Sequence, residues 1–364
     1  MSKLIKLEYI WLDGATPQQF RGKTKFTTIE TNEDITSIVN QYKSGKLKAS
    51  IWNFDGSSTY QATTENSELL LYPVNYFLNP FIENSILVLC EVMNIDGTPH
   101  ISNTRNKMVE ISNSNDDESL WGWEQEFFLF DNFTNKPLGW PMEQNSYPKP
   151  QGDNYCGVGA HNVKGREFLE ELSDLCLKSG IQISGINIEV ALGQLEYQIG
   201  PVEAINGSDQ LWVSRYILHR LTEKYNYRAD LDPKPYKGNE WNGSGMHVNF
   251  STKRLRENKK NKKEIAIEMC KKLEKVHKEH LKVYGVNNEH RLTGKNETSS
   301  MDKFGWGIGD RTKSIRIPYA INDPNAVGYI EDRRPASNGD PYLIVNRILK
   351  TICQEVHQPD VVNN

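Results

Sequence analysis

Glu124 and Glu126 stand at i and i+2 in the aromatic stretch Trp121–Phe130, which reads as a β-strand. That spacing puts both carboxylates on one face, with Cα atoms ~6.6 Å apart. Charged groups set among Trp123, Phe127, Phe128 and Phe130 are costly to bury unless they meet a metal or a partner. Metal–oxygen bonds are only ~2.0–2.2 Å long, so neighbours at this spacing can serve two adjacent ions, one carboxylate each.

A second pair of carboxylates lies in Gly185–Pro201, GINIEVALGQLEYQIGP. Apolar and polar residues alternate on both sides of Gly193-Gln194, which predicts two strands joined by a tight turn. Glu189 and Glu196 then fall on the polar face, opposite Ile188, Val190, Leu195 and Tyr197. That face is a metal site if it looks into a cleft, and an ordinary wet sheet face if it looks at solvent. His247 alternates with Met246 and Val248 after a Gly-rich turn and offers a nitrogen ligand or a structural hydrogen bond. Glu331 sits beside Arg333 and Arg334, as part of a site or of a surface ion cluster. Arg291, Arg311 and Arg316 fall in a Gly- and Ser-rich region, and arginine matches phosphate and carboxylate bidentately. Taken together, these carboxylates, one histidine and several arginines suit phosphoryl transfer between anions, with divalent metals neutralising charge. No GxxxxGK[ST] or GxGxxG stretch is present, so a nucleotide would not be held by a P-loop or Rossmann turn.

The elements that must position these groups divide into two units. The chain has 364 residues, 37% hydrophobic and 25% charged, with a net charge of -4. Such a composition fits a soluble globular protein with no general attraction to nucleic acid or anionic membrane. No run approaches the ~20 apolar residues of a membrane span. The five cysteines are scattered, which predicts reduced thiols in a cytoplasmic protein. Residues 1–103 read as a small, mostly β unit: Lys3–Leu12 alternates, Leu47–Phe54 does so in part, Ile86–Met93 is a buried strand and Ile35–Tyr42 a helix. A polar stretch from Asn94 to Ser119 marks the boundary. Residues 104–364 mix strands with helices expected over Gly165–Ser179, Asp209–Lys224 and Glu264–Tyr284, and another starting at Asp340-Pro341. The basic run Lys253–Lys263 lacks interleaved aromatics and reads as a solvated loop and helix entry.

Eight stretches in order carry a resemblance: WNFDGSST, GWEQEFFLF, YCGVGA, GINIEVALGQLEYQIGP, DPKPYKGNEWNGSGMHVNFST, RLTGKNETSS, DRTKSIRIP and YIEDRRPASNGDPY. The chain resembles the type II glutamine synthetases over nearly its whole length. The resemblance implies an α+β fold, with an N-terminal β-grasp-like domain and a C-terminal glutamine-synthetase/guanido-kinase-like catalytic domain on a curved antiparallel sheet with helices. It implies ligation of ammonia to L-glutamate with ATP, through a γ-glutamyl phosphate. By motif position, Glu126, Glu189 and Glu196 resemble the ligands of one Mg²⁺ or Mn²⁺, and Glu124, His247 and Glu331 those of a second, with two or three ions per site. Asn242, Gly243, Arg291 and Arg333 resemble glutamate-binding positions. Arg311, Arg316, Ser251 and Tyr329 resemble positions that bind ATP or its phosphates. Asp55 matches the ammonium-binding base, which in the family reaches a neighbouring subunit's site, and Glu297 matches the residue that covers the intermediate. A homo-oligomer of two stacked pentameric rings follows from the same resemblance.

The sequence departs from the family pattern at Leu195, where Trp is usual, at His290, where Arg is frequent, and at Asp310, where Asn is usual. Asp310 adds negative charge beside Arg311. None of the three removes a proposed ligand. A γ-glutamyl-amine ligase using another amine, or a relative that keeps the fold without turnover, remain the competing readings.

Overall fold

The computed structural model describes residues 2–115, 118–143, 146–236, 240–296 and 299–353. In the N-terminal unit the chain runs through β1 (Ser2–Leu12), β2 (Phe20–Glu30), α1 (Ile35–Lys43), β3 (Trp52–Asp55), β4 (Glu68–Leu78) and β5 (Ser85–Met93). These strands form a five-stranded sheet in the order β2-β1-β5-β4-β3, with β1 and β5 parallel and the other pairs antiparallel. Asp34 caps α1 by accepting from the Ser37 N–H at 2.7 Å. The β-grasp expectation thus holds, although β2 and β4 were not legible as strands.

Alternation along the strands gives this sheet two buried faces. Leu7, Tyr9, Ile86 and Val88 pack under α1 with Ile38, Val39 and Tyr42. Ile10, Phe77, Leu87 and Leu89 point the other way, into the core of the second unit.

That second unit comprises α2 (Thr104–Asn115), β6 (Leu120–Asp131), β7 (Lys136–Pro137), α3 (Arg166–Lys178), β8 (Ile183–Ile188), β9 (Gln194–Glu203), α4 (Ala204–Tyr225), β10 (Tyr227–Asp230), β11 (Met246–Ser251), α5 (Lys253–Glu257), α6 (Lys262–Lys275), α7 (His277–Leu281), β12 (Trp306–Ile308), β13 (Ile315–Ile317), β14 (Ile330–Asp332) and α8 (Pro341–Cys353). Among the described residues nine strands form one sheet, ordered β12-β13-β14-β11-β6-β9-β8, with β7 and β10 also pairing with β6. It is antiparallel except for the β12–β13 edge pair, which is parallel. The buried helix α4 lies against β6 and β9. A Cβ on Gly207 would sit 2.5 Å from the Trp123 ring, so glycine there permits the close approach.

Two helix expectations shift and a third holds. The helix foreseen from Asp209 begins at Ala204, directly after β9. The one foreseen over Glu264–Tyr284 is two helices, because Val276 leaves helical geometry (φ -121°, ψ 30°). The helix at Pro341 does start after Asp340, whose carboxylate accepts from the Tyr342 N–H at 2.8 Å. Among the described residues no helix is long and apolar enough to cross a membrane.

The two units are joined by buried charge. Asp209 on α4 accepts from Arg105 Nε of α2 at 2.8 Å, from the Tyr342 hydroxyl of α8 at 2.7 Å and from Asn75 Nδ2 of β4 at 2.9 Å.

Candidate active site

The centre of the nine-stranded sheet decides where the carboxylates go. Glu126 of β6 is directly opposite Glu196 of β9, and Glu124 is directly opposite His247 of β11. Glu331 of β14 is opposite Asn249 of β11, and Arg316 of β13 is opposite Glu331. Four adjacent ladders therefore deliver side chains to one concave face. Glu189 arrives differently. β8 stops at Ile188, and residues 189–193 form a loop rather than the tight turn foreseen at Gly193-Gln194. Glu189 is anchored by the Asn187 amide at 2.9 Å and by the Val190 N–H at 3.0 Å.

Two groups of ligand atoms result. Glu126, Glu189 and Glu196 each offer an oxygen, and Glu124, His247 and Glu331 offer two oxygens and a nitrogen, with all atoms in a group within 4.8 Å of one another. The division between the strand neighbours Glu124 and Glu126 is the one their spacing predicts. Both groups line a cleft of about 430 Å³ together with Asn242, Gly243, Arg291, Arg311, Arg316 and Arg333.

Second partners orient the ligands. Glu126 Oε2 accepts from the Gly245 N–H at 2.7 Å and from Gln194 Nε2 at 3.1 Å. Glu196 accepts from Gln198 at 2.7 Å, and Glu124 from Asn249 at 2.9 Å. Glu331 is gripped by Arg316 and by Arg333 Nη1, the latter at 2.6 Å. Nδ1 of His247 lies 3.2 Å from Glu124 and 3.4 Å from Glu331, while Nε2 accepts from Arg291 at 3.0 Å. In the neutral ring that arrangement leaves the proton on Nδ1. Gly243 is required by space: a Cβ there would meet the Pro233 carbonyl at 2.6 Å and the Arg291 side chain at 2.8 Å.

The electrostatics of the two groups differ. Burial, then the neighbouring Glu189, push the Glu126 carboxyl well above the usual carboxylate range. Burial, then Glu126 and Glu189, do the same to Glu196. At Glu124 burial works upward, but the His247 contact, Asn249 and Arg316 outweigh it and hold the carboxyl down to about 2. Burial and Arg333 keep His247 below its ordinary value, so its ring favours the neutral form. The all-oxygen group is thus a repulsive cluster that a hard divalent cation would relieve, and the donor set fits one. The second group adds an imidazole, a common metal ligand once Nδ1 has given up its proton.

The remaining expected residues lie elsewhere. Asp55 is exposed at the end of β3, where its carboxylate accepts from the Ser57 N–H at 3.0 Å and the Ser58 hydroxyl at 2.8 Å, and it does not line this cleft. Ser251 is buried at the end of β11, donating to the Gly328 carbonyl, and Tyr329 is half-buried near Arg316. Neither lines the cleft. Glu297 lies outside the described residues. Tyr155, Asn187, Gln198 and Asn296 line the cleft without having been singled out. Asn187 and Gln198 carried a signal, since they flank the hairpin carboxylates at i±2 and share their face.

A family model for the glutamine synthetase catalytic domain matches residues 102–358, and one for the glutamine synthetase β-grasp domain matches residues 5–95. The chain belongs to the glutamine synthetase family. It is 43% identical over 358 residues to a putative glutamine synthetase of Acanthamoeba polyphaga mimivirus, covering 97% of this chain and 95% of the relative. It is 43% identical over 357 residues to the glutamine synthetase of Saccharomyces cerevisiae, covering 97% and 90%. The Panulirus argus glutamine synthetase is 45% identical over 352 residues, covering 95% and 92%. A cryo-EM structure of Plasmodium falciparum glutamine synthetase shares the fold, with a TM-score of 0.72 at 18% identity over 96% of this chain and 71% of that one.

Proposed function

We infer that this glutamine synthetase family member ligates ammonia to the γ-carboxylate of L-glutamate, using ATP and passing through γ-glutamyl phosphate. The carrying observation is the pair of ligand groups side by side in a cleft also lined by four arginines. Glu126, Glu189 and Glu196 would hold one Mg²⁺ or Mn²⁺, and Glu124, His247 and Glu331 a second. Bound ions would neutralise the triphosphate and the carboxylate that attacks it.

The chain's own residues account for the rest. A free carboxylate is a poor acyl donor, and phosphorylation supplies a leaving group. Arg333 and Arg291, with Asn242 and the Gly243 backbone, bind and orient glutamate. Arg311 and Arg316 take up negative charge on the transferring phosphoryl group, while Ser251 and Tyr329 shape the nucleotide end. Ammonium must lose a proton before it can attack, and Asp55 is the base we assign. Because Asp55 does not line the cleft of its own chain, we assign it to the site of a neighbouring copy in a decamer of two pentameric rings. Glu297 would keep water from the acyl phosphate. We place the domain division at residues 103/104 and the protein in the cytoplasm.

The test is phosphate release from ATP. Release is expected only when glutamate, ammonium and Mg²⁺ or Mn²⁺ are present together. Release that ignores ammonium would overturn the reading. Faster turnover with a polyamine or ethanolamine than with ammonium would move it to a γ-glutamyl-amine ligase.

A further inference from the structure

His277 opens α7 just after the break at Val276, outside the cleft. Its two ring nitrogens face opposite ways. Nε2 lies 2.9 Å from the Met301 carbonyl oxygen, which can only accept, so Nε2 carries the proton. Nδ1 lies 2.9 Å from Arg334 Nη1, which can only donate. Both bonds are satisfied at once by one neutral tautomer.

Each partner belongs to a segment that also sends a residue into the cleft. Arg334 follows β14, is almost fully buried, and clamps Asp332 with bonds of 2.9 and 2.6 Å. β14 carries Glu331, and Arg333 lies between it and Arg334. Met301 closes the base of the loop that leaves at Leu292: its N–H donates to the Leu292 carbonyl at 2.9 Å, and Thr293 bridges to Ser300. From that loop Asn296 reaches the cleft and donates to the Trp241 carbonyl at 3.0 Å. Phe304 packs against the joint, 5.5 Å from the His277 ring and 5.1 Å from the Arg334 guanidinium.

We propose that His277 is a positioning residue for the glutamate-binding Arg333, tying the segment that carries it to the loop base that delivers Asn296. The proposal rests on the function inferred above. His277 touches no substrate, so its contribution is to hold two segments at a fixed separation. Small misplacements of binding groups cost rate and affinity steeply.

Kinetics and deuterium exchange on the full-length protein test it. His277→Phe keeps the ring packing and removes both bonds, and is expected to raise the KM for glutamate about tenfold while the KM for ATP stays within about twofold. His277→Gln presents one donor and one acceptor at similar spacing and is expected to restore the KM for glutamate. His277→Asn retains an acceptor for Arg334 but falls short of Met301, and gives the same reading should the Phe variant fail to fold. A merely structural role would lower folded yield and leave the KM of the active fraction unchanged, and that outcome overturns the proposal. Exchange measured without substrate separates this proposal from the inferred function. In the Phe or Asn variant, uptake across 292–301 and across 330–334 must rise together and return in the Gln variant. A rise in one segment alone breaks the proposed link whatever the protein's activity.

Discussion

Glu126 faces Glu196 directly across the β6–β9 ladder, and both side chains are buried. With Glu189 beside them, both carboxyls are pushed upward by burial and by one another's charge. The sign of the consequence follows. A folded-state pKa raised above the unfolded one contributes stability below the ordinary carboxylate pKa, near 4.5, that is lost as pH rises through the folded value. The metal-free protein should therefore lose stability as pH rises above the ordinary carboxylate range, and Mg²⁺ or Mn²⁺ should return more of it at higher pH. Metal binding should also release protons. Calorimetry at neutral pH in buffers of different ionisation enthalpy reads that release directly.

Glu126→Gln should abolish turnover and stabilise the metal-free protein. The amide oxygen can still accept from Gly245 and Gln194, while the NH₂ replaces repulsion toward Glu189 with a hydrogen bond. A gain of about 1–3 kcal/mol in urea unfolding with chelator present is expected. Added metal should narrow the difference.

Arg316 and Arg333 together grip Glu331, so Arg316→Ala leaves that carboxylate a single guanidinium, that of Arg333. It also removes a positive charge from the cleft. The expected loss in kcat is about 10²–10³-fold. Arg316→Lys should recover little, since a point charge does not reproduce the guanidinium fork. Steady-state assays of both variants check this.

Asp55→Ala and Glu126→Ala should each be inactive. If Asp55 serves a neighbouring copy, co-assembly of equal amounts should recover about a quarter of wild-type activity, because one site in four then carries both native residues. No recovery from co-expressed, mixed assemblies would place Asp55 in its own subunit's chemistry or in none.

Asp209→Ala should destabilise the fold without touching the cleft. It leaves Arg105 to Glu91 alone and takes an acceptor from Tyr342 and Asn75 at the junction of the two sheets. A loss of about 3–5 kcal/mol in denaturant unfolding is expected.

Period-2 alternation made the ligand-bearing strands legible, because side-chain direction in a strand depends only on parity. Their spacing separates Glu124 from Glu126, and the structure gathers the two into different groups of ligand atoms. Parity did not tell which face the hairpin turned inward. That depended on β6 lying between β9 and β11, which is long-range information. The Val276 break was invisible for a related reason. The apolar spacing continues through it, while the bonds of His277 to Arg334 and Met301 lie just beyond it. Arg215 carries no signal in the sequence. It is buried within α4 and donates to Gln125, the residue between the two strand glutamates, at 2.8 Å from the far face of the sheet.

The two-faced N-terminal sheet bears on how the chain is made. Ile10, Phe77, Leu87 and Leu89 emerge from the ribosome early, yet their cover includes α4, which is not complete until Tyr225. At ~5–20 residues per second, the interval between β5 and the end of α4 is on the order of ten seconds. Throughout it, the nascent sheet carries a bare apolar face. Folding of the first unit and of the catalytic sheet is thus sequential in synthesis but joint in stability, and a truncated product ending near residue 100 would be a sticky fragment rather than a free-standing module.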